Sequence, residues 1–248
     1  GSVVLRDAAA LNDSLVVDLD GVPQPAMGTN YEGWLISDAG NSKIVIGTLA
    51  VSTAGDINIT YTSPDGSNLL TEFSAFAIAS QPSGVVLYSD NIEPAAIIHV
   101  RHLLSESPSG TKGFATSLSE HALGALAEAG LASGSVSLAD KKLHLQRVVN
   151  IIEGPGGSNY DTASGNPGSG TGVLSYAADA IVHAGLAKAS APANGTIATH
   201  ADGLAMSAQR ASDLATRARD NALTGITQTS ANLILTLSID NVVSTLTR

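Results

Sequence analysis

Between residues 14 and 81, apolar side chains fall in short alternating or β-branched runs: SLVVDLD, YEGWLIS, SKIVIGTLAVS, GDINITYTS and SAFAIASQ. Alternation with a period of two sets one face of each segment against a core. Turn chemistry separates the runs, at Asp20-Gly21 and at residues 39–41, 54–56 and 63–66. Such a series predicts an antiparallel β-sandwich or small barrel over residues 1–90, with Trp34, Leu35 and Ile36 on a central strand and Trp34 buried. The N-terminal SVVLRD stands apart from these runs. It reads either as an ordinary edge strand or as a strand donated to the sheet of another subunit through Val3, Val4 and Leu5.

From Asp90 the period lengthens. Asn91-Ile92-Glu93-Pro94 opens a helix, with Pro early and Glu in the first turn. Its run AAIIHVRHLL carries His99 and His102 three apart, and so on one face. SESPSGTKG is a loop, and helices are predicted at about 114–132, 138–153, 173–190, 196–223 and 229–246. The fold class is therefore α+β: an N-terminal antiparallel β-sandwich at 1–90, then a C-terminal α-helical bundle of five or six helices at 91–248. Leu123, Leu126, Val148, Ile151, Ile181 and Leu204 are expected to line the bundle core.

The bundle is organised around a glycine-rich loop at 154–172, GPGGSNYDTASGNPGSGTG. A pair of helices stands on each side, and each of the four carries one histidine: His121, His144, His183 and His200. The two pairs read alike, which suggests a weak internal duplication. If the four rings converge, neutral imidazoles between facing helices would take zinc or copper. The alternative is that each ring caps a carbonyl or fills a polar notch, since no His-x-x-x-His or Glu-x-x-His pairing is present. Within the loop region, Glu153 and Asp161 are the candidate calcium ligands. Ser164, Asn166 and Ser169 stand where further acids would be needed, too few carboxylates for tight calcium binding. A plain Gly/Ser/Asn connection is the competing reading.

Composition changes the picture in three ways. Aromatic residues are only 4% against 44% hydrophobic, so the core must be built from many small contacts, as in close helix packing through alanine. Charged residues are 14% with a net charge of −10, an acidic surface that disfavours nucleic acid and anionic lipid. Ser and Thr make up about a fifth of the chain, with sequons at Asn12, Asn58 and Asn194, and Cys is absent. No apolar run is long enough to span a membrane, so no membrane insertion is expected. Gly1-Ser2 reads as a cloning scar or a processed N-terminus. Glycines 168, 170 and 172 follow no strand and make no dinucleotide fingerprint. No Walker loop, nucleophile elbow or zinc-protease motif is present, so no enzymatic activity is expected.

The segment YEGWLISDAGNSKIVIGTLAVSTAGDINITYTS, followed by FSAFAIASQPSG, resembles the extracytoplasmic β-sandwich domain of the anti-sigma-K factor family. Tyr31, Trp34, Leu35, Ile36, Gly47, Leu49, Gly55, Phe76, Ala77, Ile78, Pro82 and Gly84 carry the likeness, over about a quarter of the chain. It implies the fold and an extracytoplasmic setting. The family's sigma-factor-binding segment and membrane helix have no counterpart here. The stretches VVNIIEGPGG and GVLSYAADAIVHA resemble helical regions of uncharacterised secreted bacterial proteins. Together these readings predict an extracellular or cell-surface structural or interaction protein, a homo-oligomer or filament subunit using its N-terminal strand. The alternative is a soluble metal-binding or sensory module with histidines in the bundle.

Overall fold

The computed structural model describes residues 1–108, 110, 112–168 and 170–247. Ser109 and Thr111 of the expected loop after the first helix, and Ser169 of the glycine-rich loop, lie outside the described residues. The protein is α+β, with two antiparallel sheets followed by six helices among the described residues. The chain divides into two compact units, Gly1–Arg101 and His102–Arg248, and the division falls inside the first helix.

In the first unit, β1 (Ser2–Arg6), β2 (Ser14–Leu19) and β5 (Ile57–Thr62) form one sheet in the order β1-β2-β5. The second sheet runs β4-β3-β6-β7, from β3 (Asn30–Ser37), β4 (Lys43–Leu49), β6 (Phe73–Gln81) and β7 (Val85–Asn91). Register follows the apolar alternation. Leu15 lies opposite Tyr61, Val17 opposite Ile59 and Leu19 opposite Ile57, so the inward residues of β2 and β5 coincide. One buried cluster draws on both sheets, including Leu15, Val17, Leu35, Leu49, Ile57 and Ile78. Gly33 sits where the cluster is tightest. A Cβ there would stand 2.7 Å from Ile46 Cγ1, so only hydrogen fits on that face of β3. One residue on, Trp34 points to the other face: it is buried, but on the side of β3 away from the core cluster that the two sheets share. Its Nε1 donates to Glu32 at 2.6 Å, and the Lys43 ammonium lies over the ring.

Helix α1 (Pro94–Leu104) leaves this unit with its rotation set by Arg101. The guanidinium donates to Asp38 Oδ1 at 2.8 Å and to the Leu70 carbonyl at 2.6 Å. The second unit contains α2 (Phe114–Gly134), α3 (Leu138–Glu153), α4 (Val173–Ser190), α5 (Gly195–Ile226) and α6 (Leu233–Leu246). Its core pairs branched side chains of α3, among them Leu145, Val148, Val149 and Ile152, with alanines of the neighbouring helices. On α5 the buried alanines 201, 208, 215 and 222 recur every seven residues, the spacing of a close helix seam. Small side chains bring backbones near. A Cβ on Gly225 of α5 would stand 2.6 Å from Leu145 of α3.

The structure corrects parts of the expected core and boundaries. Val148 and Ile151 are buried, Ile181 and Leu204 pack at the core's margin, and Leu126 is half-buried. Leu123, however, is 63% exposed. The inward stripe of α2 runs through Leu118, His121, Ala125, Ala129 and Ala132, and position 123 is about 200° round from 121. Helix α6 starts at Leu233 rather than 229, because the Asn232 side chain accepts from the Leu235 N–H and caps it there. These assignments predict that Leu145→Ala lowers stability by about 2–5 kcal/mol, whereas Leu123→Ala changes it by less than about 0.5 kcal/mol. Urea denaturation followed by helical circular dichroism measures both.

Candidate functional site

The glycine-rich connection between α3 and α4 is built onto one face of α3. Gln146, Asn150 and Glu153 share that face, and Arg147 flanks it. Asn150 has no exposed surface. Its Nδ2 donates to the carbonyls of Asp161 and Gly165, both at 2.7 Å, and its Oδ1 accepts from the Asp161 N–H at 2.9 Å. Gln146 donates to the Asn159 carbonyl at 2.8 Å and Arg147 to that of Ser164 at 3.0 Å. The loop's two ends cross backbone against backbone. A Cβ on Gly154 (φ 70°) would stand 2.2 Å from the Thr171 carbonyl oxygen, and one on Gly172 would stand 2.6 Å from the Glu153 carbonyl carbon. The loop is thus a constructed element and not a plain tether.

This construction uses both candidate calcium carboxylates. Glu153 accepts the Asn159 N–H and Nδ2, each at 2.8 Å, and its Oε1 lies 3.5 Å from the Arg219 guanidinium. Asp161 accepts from the Ser164 hydroxyl at 2.5 Å and from the Ala163 and Ser164 N–H groups. The Ser164 hydroxyl first, then the Ala163 and Ser164 N–H groups, hold the Asp161 carboxyl below the usual carboxylate range despite its desolvation. Oxygens already facing N–H and O–H donors are not arranged as a cation shell. Among the described residues neither carboxylate belongs to a group able to hold a metal. Beside the loop is an open cleft of about 480 Å³, lined by Glu153, Pro155, Gly157, Leu174, Ser175 and Arg219. Its two charged groups are the paired Glu153 and Arg219.

The four expected histidine ligands take separate places. His121 is buried, with Nδ1 2.7 Å from the Ser117 carbonyl and its ring against Tyr176 at 4.8 Å between centroids. His144 Nδ1 lies 2.7 Å from buried Glu128, which Arg147 also approaches at 4.0 Å. His200 is exposed on α5. His183 meets His102, near the end of α1. His102 Nδ1 and His183 Nδ1 stand 3.3 Å apart, their rings nearly perpendicular. Tyr176, Glu128 and the Ser117 carbonyl thus occupy His121 and His144 in the manner of the capping alternative. The sequence singled out His102 only by its spacing from His99, and no spacing links it to His183.

A second feature escaped the sequence reading altogether. Strand β7, VVLYSDN, is the edge of its sheet, and every residue in it is exposed. Val85, Val86, Leu87 and Tyr88 are each between 44% and 55% exposed. Its signal was a β-branched and aromatic run directly after a Pro-Ser-Gly turn. At the edge of the other sheet, β1 pairs with β2 of its own chain. Val3 lies opposite Val17 and Leu5 opposite Leu15, both packed on the core cluster, while Val4 faces out. No helix among the described residues is long and apolar enough to cross a membrane. No family model matches this chain, nor does any curated protein or solved structure.

Asn150→Ala strands the Asp161 N–H and the Asp161 and Gly165 carbonyls, and is expected to cost about 2–4 kcal/mol. Thermolysin should then cut within 154–172, where the parent protein resists. The Asp161 pKa is depressed in the folded state, so its contribution is complete above about pH 4 and is lost as pH falls through the folded value. The Ala163 and Ser164 amide resonances should therefore move only below about pH 4.

Proposed function

We propose that this chain is an extracytoplasmic structural or recognition protein that associates with copies of itself through strand β7. The reading treats the two sheets, which share one core cluster, as a β-sandwich, and the helices after it as an α-helical bundle. The observation that carries it is the run of exposed apolar residues at 85–88 on a sheet edge. Edge strands of monomeric proteins are usually blunted by charge or covered, and contiguous exposed apolar surface marks an interaction site. Charge favours a second copy as the occupant. At a net charge of −10 most approaches between two copies are repulsive, and residues 85–88 carry no charge. The register shift between Ile78 and Ala79, opposite β7, interrupts the ladder there, which favours pairing of two faces over endless strand addition. An isologous contact of this kind closes as a dimer.

The N-terminal strand gives a second route. Donating β1 to a neighbour would uncover Val17 and Leu15 of its own sheet unless the neighbour's strand replaced it. Such exchange propagates into filaments when it does not close. The extracytoplasmic setting rests on the anti-sigma-K-like residues of the first unit and on the Cys-free, Ser/Thr-rich composition.

Sedimentation velocity with negative-stain imaging tests the proposal. The intact chain should form dimers or larger species, and Leu87→Lys should return it to monomer while deletion of residues 1–7 leaves association unchanged. If the deletion dissolves the assemblies and Leu87→Lys does not, the contact is β1 exchange. A monomer at millimolar concentration ends the assembly reading.

A further inference from the structure

We propose that His102 and His183 form a two-imidazole site for a divalent transition-metal ion of the zinc, copper or nickel class. The inference stands on different residues from the assembly reading, so either can fail without the other. Its basis is a distance. Two nitrogens bound at about 2.05 Å to one tetrahedral ion stand about 3.3 Å apart. The Nδ1 atoms of His102 and His183 stand 3.3 Å apart. Two ring nitrogens facing each other at that separation must share a proton or a cation, because two lone pairs would repel.

Phe114 lies tilted against His183 at 5.0 Å between centroids, an apolar wall that restricts the imidazole's rotation. Both histidines are half-buried, so an ion arrives from solvent and its remaining positions are left for water or an added ligand. Imidazoles without a carboxylate suit zinc, copper or nickel and do not suit calcium or magnesium, which need oxygen.

The experiment is a titration of the intact chain with zinc chloride, read by calorimetry and by the melting temperature. Cobalt(II) is used in parallel for its tetrahedral absorption bands. One ion per chain is expected, with a raised melting temperature and no response to calcium. His183→Ala and His102→Gln should each weaken binding by more than about 100-fold. Helical circular dichroism without metal identifies any variant that fails to fold, in which case the other variant decides. His144→Ala and His200→Ala should bind as the parent does. Absence of zinc binding overturns the site, as does unchanged affinity in folded His183→Ala and His102→Gln. Loss of binding in His144→Ala or His200→Ala also overturns it, because the ion would then be held elsewhere.

Discussion

The carboxamide of Asn150, without exposed surface, satisfies three backbone groups of a long connection with no strand or α-helix among its described residues. A buried polar side chain is stable only when its hydrogen bonds are complete, and here the loop completes them. The dependence is mutual. The loop's N–H and C=O groups would otherwise need water, and the Asn150 amide would otherwise be an uncompensated polar group beside Val149 and Ile151. Crossing glycines at 154 and 172 then set where α4 begins, so the loop positions the second pair of helices as much as it connects them.

Alanine seams make histidine conspicuous in this unit. When helices approach through Ala201, Ala208, Ala215 and Ala222, little room remains for large rings, and the chain has few aromatic residues. Five of the rings meet one another. Tyr176 packs on His121, Phe114 on His183, and His183 on His102. Imidazole offers a flat packing surface together with a donor for a helix carbonyl or a buried carboxylate, as His121 does for Ser117 and His144 for Glu128. Histidine thus has two roles within one set of helices. At His121 and His144 a nitrogen is taken by protein oxygen, and at His102 and His183 nitrogen faces nitrogen.

Surface charge and sheet edges meet at β7. An acidic, lysine-poor chain gains solubility from repulsion between copies, yet it leaves an uncharged apolar run, residues 85–88, on a sheet edge. Strand β1, the apolar segment that stood out at the level of sequence, is instead half covered by its own sheet.

What the sequence determined by itself is whatever depends on local periodicity. The α+β order, five of the seven strands, the helices and the burial of Val148, Ile151 and Trp34 follow from apolar spacing and turn residues. Strand β1 was readable as a strand, but its partner was not, because pairing is a choice between one's own sheet and a neighbour's. Strand β7 lacked the alternation of a half-buried strand for the physical reason that neither of its faces is buried. Leu123 was misjudged because in an alanine-rich helix the larger residue need not face the core: the seam selects the small side chain. The tertiary structure alone decided which histidines meet. His102 and His183 are separated by α2, α3 and the whole loop, and no spacing along the chain encodes a contact set by how helices cross.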